Sequence, residues 1–119
     1  MSNLAPYSQF QNLTYDLPYV MFSANQNSVG KRKDSVVNAE ATGEFVYNMA
    51  TYELRDAVNR SAAEVPLEVD EFELAGLSKA PSIKVKPLRV AESPVQFECA
   101  YHQTLRLRRE PTARRAKRD

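Results

Sequence analysis

This 119-residue chain reads as an α+β fold, mainly β with short helices. Three observations carry that reading. Val95 to Tyr101 alternates strictly, with Val95, Phe97, Cys99 and Tyr101 on one side and Gln96, Glu98 and Ala100 on the other, the period of a half-buried strand. Tyr19 to Ser23, YVMFS, is a short apolar run of buried-strand type. Helical spacing appears between them only in short stretches, each closed by glycine or proline.

In chain order, Leu4 to Gln11 surrounds Pro6 with aromatic and small polar residues, the composition of an extended segment or edge strand, because proline cannot donate to a ladder. Tyr7 and Phe10 are its core anchors. Asn12 to Pro18 is expected as a turn, and Ala24 to Gly30 as an exposed loop. Asp34 and Ser35 open a helix of about two turns that Thr42 and Gly43 stop. A strand, Glu44 to Met49, follows, with Phe45, Tyr47 and Met49 on one face.

Thr51 is placed as the N-cap of a second helix, with Leu54, Ala57, Val58, Ser61 and Ala62 on its apolar side and Pro66 as its end. Val69 to Ala75 is a third helical piece stopped by Gly76, with Phe72 and Leu74 as apolar contacts and Asp70, Glu71 and Glu73 solvated at its dipole-favoured start. Pro81, Pro87 and Pro94 then bound extended pieces, of which Ser82 to Lys86, SIKVK, is the clearest strand.

The length suits one domain, residues 1 to 105, followed by a basic tail, residues 106 to 119, that reads as disordered. That tail holds seven Lys or Arg against two acids, leaving nine against thirteen before it, so the basic charge is not a face of the domain. Aromatics are absent after Tyr101, which argues against a nucleic-acid platform. No apolar run approaches the roughly 20 residues that span a bilayer. The start lacks the basic and apolar regions of a signal peptide, and Cys99 is the single cysteine, so a cytoplasmic protein is expected.

Chemistry-bearing groups are sparse. His102 is the single histidine and falls on the polar side of its strand, Cys99 falls on the apolar side, and no catalytic residue or metal set is assigned. The candidate that remains is the start of the first helix. A helix N-terminus presents N–H groups with no partner inside the helix and the positive end of its dipole, and Lys31, Arg32 and Lys33 stand just upstream, so phosphate is the natural guest.

Five stretches, NLAPYS (3–8), PYVMFS (18–23), KDS (33–35) with NAEATGEFVYN behind it, DEFELAGL (70–77) and RVAESPVQFEC (89–99), together resemble the flavin reductase-like family, over about residues 3 to 105. The resemblance implies an FMN-binding split β-barrel, a homodimer with FMN near the subunit interface, and NADH or NADPH as hydride donor. It further implies a partner monooxygenase that receives reduced flavin. Matched position by position, it implies flavin contacts from the segment Asn3 to Gln11 and the strand after it. It nominates Ser8, Ser23, Lys33, Asp34 and Ser35 as cofactor-binding residues.

The chain departs from the family's pattern at Gln9 and Gln11, where the family usually has Phe and Asn, and the barrel strands expected before NLAPYS and after the EC-containing strand have no counterpart. An incomplete split barrel is therefore expected, with open strand edges that favour association. The alternative reading is a non-catalytic remnant or self-association module that no longer binds FMN well.

Overall fold

The computed structural model describes residues 3–24, 34–63 and 68–107, and its strands pair as three separate antiparallel couples. Strand β1 (Phe10–Tyr15) and β2 (Pro18–Phe22) form a hairpin. Strand β3 (Glu44–Asn48) pairs with β6 (Gln96–Ala100), and the two-residue strands β4 (Lys79–Ala80) and β5 (Arg89–Val90) pair with each other. Helices α1 (Asp34–Thr42), α2 (Arg55–Ser61) and α3 (Glu71–Ala75) are short. The expected class, mainly β with short helices, holds, and among the described residues the strands do not close into a barrel. No described helix is long and apolar enough to cross a membrane.

The β3–β6 ladder organises the molecule, and its two faces differ by chemistry. Register pairs Phe45 with Cys99 and Tyr47 with Phe97, so the aromatic side of each strand lies on one face. The hairpin covers that face with its own rings: Phe10 stacks on Tyr47 at 4.3 Å between centroids, and Phe22 meets Phe45 edge-on at 5.3 Å. Burial there pushes the Cys99 thiol above its ordinary pKa.

The opposite face carries acceptors. Glu98 accepts from the backbone N–H groups of Ile83 (3.0 and 2.9 Å) and Lys84 (2.5 Å), Glu44 from Lys86 (2.9 Å), and Asn48 from Val90 (2.8 Å). This contact explains why SIKVK is not the strand its alternation suggests. Its N–H groups are satisfied by side chains of β3 and β6, so it needs no ladder, and Ile83 is 81% exposed.

Those N–H donors, Ile83 first and then Lys84, hold the Glu98 carboxyl below its ordinary pKa. A depressed folded value means that this contact stabilises fully above the unfolded-state pKa and is lost as pH falls through the folded one. The protection factors of the Ile83 and Lys84 amides, taken against the intrinsic exchange rate at each pH, should therefore be high at neutral pH and fall as pH drops below the usual glutamate range. In Glu98→Gln that acid dependence should disappear.

Other boundaries move for local reasons. β1 runs on to Tyr15, where a turn was expected, because a bulge between Asn12 and Thr14 absorbs Leu13 and leaves only Asp16 and Leu17 as the turn. Leu4 to Gln9 is not strand; the ladder begins at Phe10. Thr51 stands before a 3₁₀ turn, Tyr52–Leu54, with an extended backbone but no capping hydrogen bond from its side chain. Gly43 and Gly76 do stop their helices, at φ of 78° and 75°.

Among the described residues the buried apolar ones are Ala39, Ala57, Phe72, Ala75 and Val90, so α3 packs on α2 through one large ring and small side chains. Leu74, expected in that contact, is exposed, and Ala75 takes its place. Asp70 and Glu71, expected as solvated acids, are buried. Asp70 caps α3 by accepting from Phe72 N–H at 2.9 Å and pairs with Lys79, and that pairing foremost holds its carboxyl below the ordinary value. Glu71 faces the N-terminal segment.

Candidate functional site

Three segments distant in sequence meet at Tyr7. Asn3 and Leu4 precede the ladder, which begins at Phe10, so their polar groups find partners elsewhere. Glu71 Oε1, at the first turn of α3, accepts from Asn3 Nδ2 at 2.9 Å and from the Leu4 N–H at 2.8 Å. Asn3 Oδ1 in turn accepts from Ser35 Oγ at 2.5 Å, in the first turn of α1. One amide side chain is thus held at both ends by two helices.

The Tyr7 ring lies 4.9 Å from that of Phe22, at the end of β2. Its hydroxyl is buried with no hydrogen bond of normal geometry, although the Ser35 hydroxyl lies nearby. Burial foremost, with Glu71 and Asp34 adding negative charge nearby, raises the phenol above its ordinary pKa against the opposing influence of Ser35. Tyr7 therefore stays protonated, and its O–H remains a donor.

The residues nominated from sequence fall around this centre. The Ser23 N–H donates to the Gln9 carbonyl at 2.9 Å, which continues the hairpin by one pair and sets Ser23 next to the stretch that carries Ser8. Both serines are exposed. Asp34 and Ser35 are half-buried at the start of α1. Tyr7 joins the two groups, being the neighbour of Ser8 in sequence and of Ser35 in space. Lys33 lies outside the described residues.

Asn3 and Glu71 were not singled out. Their contact spans 68 positions, and each looks ordinary in its own neighbourhood, an amide in a loop and an acid at a helix start. The one available sign was that Glu71 adjoins Phe72, the large residue of the core.

A family model described as flavin reductase like domain matches residues 1–110. An uncharacterised protein of Aquifex aeolicus is 38% identical over 101 residues, 85% of this chain and 52% of that one. Nitrilotriacetate monooxygenase component B from Bacillus cereus superposes with a TM-score of 0.85 at 31% identity, covering 91% of this chain and 53% of that one. The 2-nitrobenzoate 2-nitroreductase of Pseudomonas fluorescens does so with a TM-score of 0.73 at 25% identity, covering 85% and 47%. The chain spans about half the length of the curated relatives it matches.

Proposed function

The chain belongs to the flavin reductase like domain family, and from that premise we propose that it forms the FMN-holding part of an oxidoreductase that takes hydride from NADH or NADPH. The observation that carries the reading is the meeting at Tyr7 of the NLAPYS segment, the end of β2 and the start of α1. These are the segments that resemblance nominated for the flavin.

The residues suit such a guest. FMN needs donors for its phosphate and an aromatic or backbone-lined slot for its ring. Ser8 and Ser23 offer exposed hydroxyls, Tyr7 keeps its proton, α1 supplies a helix N-terminus, and Phe22 and Phe45 stand behind Tyr7 as apolar wall. Asp34 opposes an anion at that helix start, so the neutralising charge falls to Lys31, Arg32 and Lys33. Bound FMN supplies the electron chemistry, and the chain's task is to hold it and align the nicotinamide. That division accounts for the sparse set of acid and base residues.

Reduced flavin passed to a partner monooxygenase fits the likeness to a monooxygenase component B. A homodimer fits the exposed apolar residues of the hairpin, Leu13, Leu17 and Met21 among them. A cytoplasmic setting fits the lone thiol of Cys99. The second reading, a self-association module without catalysis, draws on the same exposed residues and on a described core in which Phe72 is the single large side chain.

Titration with FMN, followed by its fluorescence, separates the two. The first reading expects saturable quenching and bleaching of the bound flavin when NADH or NADPH is added without oxygen. Colourless protein that ignores FMN and elutes as an oligomer would support the second and remove the first.

A further inference from the structure

Glu71 is not among the residues nominated for the flavin, yet its placement is specific. It is a carboxylate only 9% exposed, on the first turn of a helix whose cap is already supplied by Asp70, so α3 does not need it for its own N-terminus. A buried carboxylate is costly unless hydrogen bonds compensate it. Here they come from the Asn3 side chain and the Leu4 backbone, which open the segment leading to Tyr7 and Ser8.

We propose that Glu71 is a positioning residue for the flavin-holding segment, acting through the Asn3 side chain to set that segment against the start of α1. This rests on the flavin reading. An amide has a donor end and an acceptor end, and each is used once: Nδ2 donates to Glu71 and Oδ1 accepts from Ser35. Only one orientation of Asn3 satisfies both. The N-terminal segment is thereby keyed to two helices, and the distance from Tyr7 and Ser8 to the helix start is set by side-chain polarity, not by a ladder. Hydrogen bonds to a charged acceptor are stronger than neutral ones, which is why a carboxylate suits this place.

The test reverses the polarity and then restores it. Asn3→Asp removes the donor and sets a second carboxylate against Glu71, while the acceptor for Ser35 remains. FMN affinity should fall about tenfold or more, the scale of losing a charge-assisted bond. Adding Glu71→Gln to that variant returns an N–H donor to the pair and should bring affinity back to within about threefold of the unaltered protein. Exchange at the Leu4 N–H, measured without flavin, should rise in the single variant and fall again in the double.

Arg60→Ala separates positioning from mere stability. Arg60 donates to the Ala75 carbonyl through Nε at 3.1 Å and Nη2 at 2.7 Å, at the far end of α3 from Asn3. Its loss should lower the melting temperature and leave FMN affinity within about twofold. If the unaltered protein takes up no FMN, the flavin reading falls and this inference with it. Should the protein bind FMN but the double variant fail to recover, or Arg60→Ala weaken binding as much as Asn3→Asp, the positioning role alone is overturned.

Discussion

Phe72→Ala should remove about 3–5 kcal/mol of stability, the usual cost of deleting a buried aromatic ring. Phe72 is 2% exposed and is the single large residue in a described core whose other members are Ala39, Ala57, Ala75 and Val90. Small neighbours on rigid helices cannot close over the void, so the cost belongs at the upper part of that range. The ring also lies 5.9 Å from the Lys79 ammonium, an attraction that alanine forfeits. For a domain of this size each kcal/mol shifts the melting midpoint by roughly 4–8 °C, so a fall of more than about 12 °C is expected by circular dichroism. Phe72→Leu should lose less, because it leaves a smaller cavity.

The next largest effect is expected at Gly76. Its φ of 75° closes α3, with its own N–H donating to Glu73 at 3.1 Å and that of Leu77 reaching back to Phe72 at 2.9 Å. An L side chain in this conformation costs about 1–2 kcal/mol. A Cβ added there would meet Arg60 Nη2 at 3.6 Å, an ordinary contact, so the cost is conformational and not a clash. Gly76→Ala should therefore be destabilised by that amount in a urea titration, and Gly76→Asn by less, since asparagine tolerates the left-handed region better.

Where the chain was legible, local chemistry and tertiary placement agreed. Gly43 and Gly76 announced the ends of α1 and α3 because a left-handed backbone strongly favours glycine. The alternation of β3 and β6 announced a two-faced ladder, and both faces are used. The five short stretches that resemble one family fell in its order and named that family. The start of α1 at Asp34 and Ser35 drew notice as a helix N-terminus behind basic residues, whereas Ser8 and Ser23 were nominated from the resemblance alone, since nothing in a lone serine marks a ligand.

What stayed hidden depends on long-range partners. SIKVK carries the alternation of a strand, and only Glu98, Glu44 and Asn48, far along the chain, decide that it is not one. Glu71 looked like any acid at a helix start, because its partner Asn3 lies 68 positions away. Asn12 to Tyr15 suggested a turn by composition, yet its pairing with β2 prevails once a bulge discards Leu13.

The route of residues 83 to 90 is written in other residues' side chains. Backbone N–H groups at Ile83, Lys84, Lys86 and Val90 are the parts gripped, and any residue but proline supplies the same N–H. Identity at Ile83 and Lys84, both exposed, is thus released from the task of folding. A peptide tag could replace those two side chains and inherit a ready-made course, provided the grip of Glu98, Glu44 and Asn48 is left untouched.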